Sequence, residues 1–189
     1  MKIHKRKVSN QVITMILIVM TLLILSTSFS SANDNSFLNV ARKCHNYLVD
    51  NHYRYRKSYG REYPLDASRG TRIDCSGYVS WCIYEYQNGN FEAQTSKWFL
   101  SNAKKIYNGK EPDNPEFCIG WKSIKGSDNF IPGDILCYSG HVQIYAGPDP
   151  ERVNRYLVLN AGSDNSLSQY IQSIKESYFK QAEYAIRIS

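Results

Sequence analysis

The apolar periodicity of this chain changes once, near Phe130, and that change limits the fold class. Before it, apolar residues recur at helical spacing in three segments, 37–51, 75–86 and 93–106. After it come four short β-type runs, DILCYS, HVQIYAG, YLVLNAG and EYAIRIS. Helices followed by consecutive strands with short connections predict an α+β domain, with N-terminal helices packed on a C-terminal antiparallel β-sheet.

Two segments lack a sustained period. The run HYRYRKSYGREYPLDASRG, residues 52–70, contains several breakers and is predicted to be a long ordered loop. The run NGKEPDNPEF, residues 108–117, is rich in turn formers and is predicted to be an excursion on the surface.

The N-terminus has the layout of a signal peptide. Four basic residues and no acidic residue accompany an apolar run over 12–25, and the sequence Ser30-Ser31-Ala32 follows. We expect residues 1–32 to be a leader cleaved after Ala32. An uncleaved membrane anchor is the alternative, because the apolar run approaches the length of a spanning helix. In either case the remainder is expected outside the cytoplasm.

The net charge of +6 is mostly a property of the leader. Without its four basic residues, 19 Lys and Arg remain against 17 Asp and Glu, so the remainder is near +2. No block of basic residues occurs after residue 33. Nucleic-acid binding is therefore not favoured. The length of 33–189 suits one domain that can bury its own core.

The chain has five cysteines, all after the leader: Cys44, Cys75, Cys82, Cys118 and Cys137. An odd number in an exported chain leaves at least one thiol outside a disulfide. If that thiol is Cys75, the others allow three pairings. We favour burial as small apolar residues for Cys44 and Cys82, which lie on apolar helix faces, whereas both readings stay open for Cys118 and Cys137. The spacing does not favour a zinc site, since no CxxC pair occurs.

One cysteine stands at a predicted helix start. In RIDCSGYVSWCIYEY, residues 72–86, Asp74 is placed to cap a helix, which puts Cys75 in the first turn. A thiol attacks a carbonyl as the thiolate, and a helix N-terminus beside a histidine lowers its pKa. The small Gly77 would let a substrate backbone approach. Cys75 is therefore a candidate nucleophile.

His141 is the histidine best placed to act with it. His45 and His52 lie in or just after the first helix, where exposure to solvent is the default expectation. His141 opens the strand HVQIYAG, and strand alternation puts it on a polar face with Gln143 and Tyr145.

The next strand supplies a third polar group. A symmetric hairpin turning between Pro150 and Glu151 would place Asn160 opposite His141, close enough to accept the imidazole N–H. A register slip of one residue would turn Asn160 to the other face. The structural alternative is that Asn160 is a turn residue at the end of the strand.

These residues resemble the NlpC-type cell-wall cysteine peptidases, a bacterial branch of the papain-like fold. DCSGYV (74–79) is similar to the nucleophile motif, IPGDILCYSGHVQIYAG (131–147) to the Pro-Gly-Asp turn and histidine strand, and VLNAGS (158–163) to the third catalytic block. The resemblance implies a catalytic domain over 63–189, preceded by a helix and loop over 33–62. It implies Cys75 as nucleophile, His141 as general base and then acid, and Asn160 as orienting residue.

The resemblance also implies a substrate, the peptidoglycan stem peptide, cut between D-glutamate and the diamino acid without metal or cofactor. Asp74, Ser76 and Tyr63 match positions that line the family's substrate cleft. The third residue is Asn where this family more often has His, which resembles the related CHAP amidases. An amidase or another thioester acyltransferase is therefore an alternative, as is a non-catalytic wall binder that uses the Tyr-rich loop at 53–63.

Overall fold

The N-terminal half of the domain is helical, as its apolar periodicity predicts. In a computed structural model, which describes residues 36–56, 72–162 and 171–189, α1 is Phe37–Asp50, α2 is Cys75–Tyr86 and α3 is Ser96–Tyr107. A side-chain oxygen caps each helix start, from Ser36, Asp74 and Thr95 respectively. The third helix begins later than predicted because Thr95 provides the cap.

The C-terminal half forms a six-stranded sheet in which every adjacent pair is antiparallel. The strands are β3 Trp121–Ile124, β4 Ile135–Tyr138, β5 His141–Pro148, β6 Arg155–Leu159, β7 Gln172–Lys175 and β8 Tyr184–Ile188, with a short helix α4 at Glu176–Phe179. Their order across the sheet is β3-β8-β4-β5-β6-β7. The α+β class with an antiparallel sheet is confirmed. The edge strands β3 and β7 were not predicted, because they are short and half polar.

A second, parallel pair lies next to the start of α2. It consists of β1, Arg54–Tyr55, and β2, Arg72–Ile73. The predicted loop over 52–70 therefore begins with a strand, and its later part lies outside the described residues. The pairing brings Tyr55 beside Ile73, one residue before the cap of α2.

The 108–117 segment agrees better with its prediction. Most of it is exposed, and a 3-10 helix, Pro115–Cys118, ends the excursion before β3.

The two faces of the sheet have separate cores. On one face, α1, α2 and α3 cover inward residues of β4 and β5, and α2 packs directly on β5. On the other face, Phe179 of α4 stacks on Tyr156 with ring centroids 4.0 Å apart and lies against Tyr145. The strand face that carries His141 is thus covered by protein, although the alternation of residues in β5 predicted a polar face.

The prediction of an exposed His45 was wrong. His45 is 3% exposed, and its ring meets that of Tyr78 edge-on at 5.7 Å. It follows Ala41 and Cys44 on the buried side of α1, so the apolar stripe is wider than the sequence spacing alone indicated. His52, just after the helix, is exposed as expected.

All five cysteines lie in described segments, and each is a buried residue outside any disulfide. The prediction that Cys44 and Cys82 are core residues is confirmed. Cys118 and Cys137, for which two readings were open, are also buried thiols. Within the described ranges, none of the helices has both the length and the apolar character needed to cross a membrane.

The Pro-Gly-Asp sequence before β4 builds an internal anchor. Gly133 has φ +99°, the left-handed conformation that a type II turn needs after proline, and the Asp134 N–H closes the turn on the Ile131 carbonyl at 3.0 Å. The Asp134 carboxylate is fully buried and accepts two hydrogen bonds from Arg187, from Nε at 2.8 Å and Nη2 at 2.9 Å. This pair ties the turn to the last strand.

We predict that Arg187→Ala lowers the free energy of unfolding by about 3 kcal/mol, because it leaves a buried carboxylate without its cation. Urea unfolding followed by circular dichroism measures this. Lys105→Ala, which breaks the surface pair with Asp113, is the matched control and should cost less than about 1 kcal/mol. Equal losses in the two variants would contradict the anchoring role.

Burial of His45 predicts a pH dependence of stability. Burial lowers the pKa of His45 from 6.5 to about 4, so below pH 6.5 the unfolded chain binds a proton that the fold does not. The free energy of unfolding should therefore fall by roughly 3 kcal/mol between pH 6.5 and 4. Urea titrations across this range should show a shallower slope for His45→Phe. Parallel curves would contradict the prediction.

Candidate functional site

Cys75 occupies the first position of α2, as predicted. The Asp74 carboxylate caps the helix, its Oδ1 accepting the Gly77 N–H at 2.7 Å, and the Tyr78 N–H bonds the Asp74 carbonyl at 2.9 Å. Cys75 is itself buried. The cap fixes the backbone of the turn that carries the thiol, and the helix N-terminus contributes a partial positive charge there.

The two residues that flank Cys75 take part in the same cap. Ser76 Oγ donates to Asp74 Oδ1 at 3.0 Å, and both side chains are buried. This gives Asp74 and Ser76 a structural role. Their predicted place in a substrate cleft stays a prediction, as does that of Tyr63, which lies outside the described residues.

Three of the other cysteines are held as thiols. Burial raises the pKa of Cys82 well above its usual value, raises that of Cys118 to about 12, and raises that of Cys137 as well. A thiol with a raised pKa is a poor nucleophile. Burial therefore makes these three less reactive than an ordinary cysteine.

His141 is fixed by a tight turn. Ser139 and Gly140 connect β4 to β5, and Gly140 has φ +81°, which suits glycine in a two-residue hairpin. The turn pairs His141 directly with Tyr138, and their rings lie 6.1 Å apart. Burial lowers the pKa of His141, and the nearby Gln143 side chain opposes this. A neutral imidazole at neutral pH is the form that can accept a proton.

The predicted register of the β5–β6 hairpin was wrong, although the predicted face was right. Paired residue numbers were expected to sum to 301. They sum to 303 at Ile144↔Leu159 and to 304 at Gly147↔Leu157, and a bulge separates the two registers. The pairs between the bulge and His141 form the inner register. Continuing that register by one pair sets Asn160 across from Gln143.

The bulge decides which face Asn160 occupies. The outer register is that of Gly147↔Leu157, on the hairpin side of the bulge. Had it continued along both strands, Asn160 would lie opposite Ile144, on the side that α2 covers. The extra residue in β5 restores the alternation, which keeps Asn160 on the face of His141 and Gln143.

The predicted hydrogen bond from His141 to Asn160 is not formed in this structure. Asn160 Nδ2 donates to Gln172 Oε1 at 3.1 Å, whereas Asn160 Oδ1 is buried and has no partner among the described residues. A Cβ on Gly162 would come within 3.0 Å of Asn160 Nδ2, so glycine at that position leaves room for the carboxamide.

Two tyrosines that the sequence analysis missed lie near Cys75. The pKa of Tyr178 is raised by burial and then by Cys75, and the pKa of Tyr55 is raised by burial, then by Cys75 and Asp74. Both phenols are therefore close enough to feel a thiolate there. Tyr178 stacks on Tyr138 at 5.0 Å, nearly parallel at 6°. Tyr55 belongs to the Tyr-rich loop at 53–63, but no sequence pattern linked either tyrosine to Cys75, since that relation depends on the fold.

The aromatic contacts connect the two ends of the candidate site. Tyr178 is near Cys75 and stacks on Tyr138, and Tyr138 lies beside His141. Tyr178 and Tyr138 therefore connect the start of α2 with the start of β5. No protein-family model and no curated protein matches this sequence.

Removal of the cap should destabilise the fold measurably. We predict that Asp74→Ala lowers the free energy of unfolding by about 1–2 kcal/mol, because the Gly77 N–H loses its acceptor. Asp74→Asn is the control, since Asn caps helices as well as Asp does and should lose well under half as much. Denaturant unfolding of the variants measures the difference. A loss in Asp74→Asn equal to that in Asp74→Ala would show that charge, not capping, matters.

Proposed function

We propose that this protein is an exported cysteine hydrolase that cleaves peptide bonds in peptidoglycan stem peptides. The observation that carries the proposal is the packing of the helix that begins at Cys75 on the strand that begins at His141. The raised pKa values of three other thiols support Cys75 as the reactive one. The wall-peptide substrate and the export rest on the resemblance to NlpC-type peptidases and on the leader-like residues 1–32.

The proposed reaction has two steps. His141 accepts the Cys75 proton, the thiolate attacks the peptide carbonyl carbon, and the resulting imidazolium protonates the departing amine, which leaves a thioester on Cys75. Water then attacks the thioester as His141 takes one of its protons. The products are a carboxylic acid and the restored thiol. The burial that keeps His141 neutral supports its role as the base.

The resemblance implies Asn160 as the third residue of a triad. Its place on the His141 face supports this role, as does its oxygen, which has no partner within 36–56, 72–162 and 171–189, whereas its Nδ2 is bonded to Gln172. Asp74, Ser76 and Tyr63 are proposed to line the substrate cleft. An amidase or acyltransferase would use the same thioester, and a wall binder would use none of these groups.

We predict that Cys75→Ala and His141→Ala abolish the solubilisation of purified peptidoglycan. Loss of the nucleophile removes the thioester route, and loss of the base costs about 10²- to 10⁴-fold. Turbidity and released soluble fragments measure the activity, and circular dichroism checks the fold. Cys118→Ala is the matched control and should retain activity, because burial keeps that thiol protonated. Full activity in Cys75→Ala would end the proposal.

Mass spectrometry of the released fragments distinguishes the alternatives. A new amino terminus on the diamino acid supports the endopeptidase, whereas a free N-acetylmuramic acid carboxylate indicates an amidase. Equal wall binding by the wild type and Cys75→Ala, with no product from either, indicates a binder.

A further inference from the structure

Gln143 is an unusual residue for the middle of a covered strand. It is fully buried in β5, where its neighbours Val142 and Ile144 are apolar and face the helices. Burial of a carboxamide is costly unless both of its ends are bonded. A small or apolar side chain would fill the position without that cost, so the polar group is expected to have a task.

Only half of the Gln143 carboxamide is satisfied within the described part of the chain. Gln143 Nε2 donates to Tyr138 Oη at 2.9 Å, and Gln143 Oε1 is buried without a hydrogen-bond partner. The bond to Tyr138 fixes the orientation of the amide. It leaves an acceptor with no donor, on the face of β5 that carries His141.

His141 is the neighbour that can use this acceptor. It lies two residues before Gln143 on the same face of the strand, about 7 Å away along the backbone, a distance that a glutamine side chain can span. Tyr138, which holds the amide, is also the register partner of His141. Gln143 and Tyr138 therefore flank the imidazole from its own strand and from the neighbouring one.

We propose that Gln143 is the positioning residue for His141, with Gln143 Oε1 accepting an imidazole N–H and Tyr138 holding the amide in place. The inference rests on the proposed function, in which His141 is the base. It assigns to Gln143 the task that the resemblance gives to Asn160. The inner register places Asn160 across from Gln143, and the Asn160 amide is bonded to Gln172.

The chemistry favours an acceptor at this position. An oxygen that accepts the N–H on one ring nitrogen fixes the tautomer, which leaves the other nitrogen to take the thiol proton. The same oxygen stabilises the imidazolium that follows. Burial lowers the pKa of His141, whereas the Gln143 side chain raises it. This is the direction expected of an acceptor that stabilises the imidazolium. The phenols of Tyr138 and Tyr178 also face this region, and burial raises the pKa of both, so they stay neutral.

The test is nitrogen-15 NMR of protein labelled at histidine, with His141 assigned by its loss in His141→Asn. We expect a single His141 tautomer in the wild type. Gln143→Leu, close in size, should give mixed tautomers and a lower His141 pKa. We expect a roughly 10- to 100-fold loss in kcat, at or below the lower end of the 10²- to 10⁴-fold that an acid–base group contributes, because the base itself remains. Asn160→Leu tests the competing assignment to Asn160. If Gln143 is the positioning residue, this variant should keep the single His141 tautomer, because the Asn160 amide is bonded to Gln172.

Two further variants keep the proposal testable if Gln143→Leu does not fold. Gln143→Glu keeps an acceptor oxygen at the same position, so it should keep the single His141 tautomer that Gln143→Leu loses, a rescue that a merely structural role would not give. Tyr138→Phe removes only the hydroxyl that holds the amide, and it should reproduce part of the Gln143→Leu effect. The proposal is overturned if Asn160→Leu changes the His141 tautomer while the Gln143 variants do not.

The NMR result is separate from the hydrolase activity. Mixed tautomers in Gln143→Leu would support the positioning role even if peptidoglycan is not the substrate. Conversely, loss of activity in Cys75→Ala with an unchanged His141 in Gln143→Leu would keep the hydrolase and reject the positioning role.

Discussion

The packing of α2 on β5 is the interaction on which the candidate site depends. Both elements are buried along the contact, with Val79 and Ile83 of the helix and Val142 and Ile144 of the strand in one core. Such contacts are non-directional, so they hold the two elements together without fixing individual polar groups.

Directional interactions fix the first residue of each element. The Asp74 cap starts the helix at Cys75, and the Ser139-Gly140 turn starts the strand at His141. Apolar burial thus holds α2 against β5, and short-range hydrogen bonds fix the backbone at Cys75 and His141.

Much of this arrangement could be predicted from sequence because it depends on local rules. Helical and strand periods differ, so the order of elements and the antiparallel class follow from the apolar pattern. The Asp74 cap was predicted because a carboxylate before an apolar helical run satisfies amides that the helix itself leaves unbonded. The helices and the four apolar strands therefore lie close to their predicted positions. His45 was wrongly predicted to be exposed because a histidine can be buried when it is neutral, and the sequence alone does not indicate its protonation state.

The candidate site was only partly predictable, because its details depend on contacts between distant segments. The face of Asn160 was predicted correctly from a symmetric hairpin, but its partner was not, since the bulge shifts the register by an amount that the turn residues do not reveal. Tyr55 and Tyr178 reach Cys75 from segments far apart in the chain. Gln143 was placed on the correct face, which was expected to be polar, whereas the fold covers that face and buries Gln143.

The bulge in β5 also has a consequence for how related chains could differ in length. The connection over 149–154 lies beyond the bulge, so insertions or deletions there would be absorbed as surface variation and would leave the paired section from His141 to Tyr145 untouched. A one-residue deletion within that paired section would instead turn His141 to the other face of the sheet. The tip of the hairpin can thus change in length without affecting its base, although both belong to the same two strands.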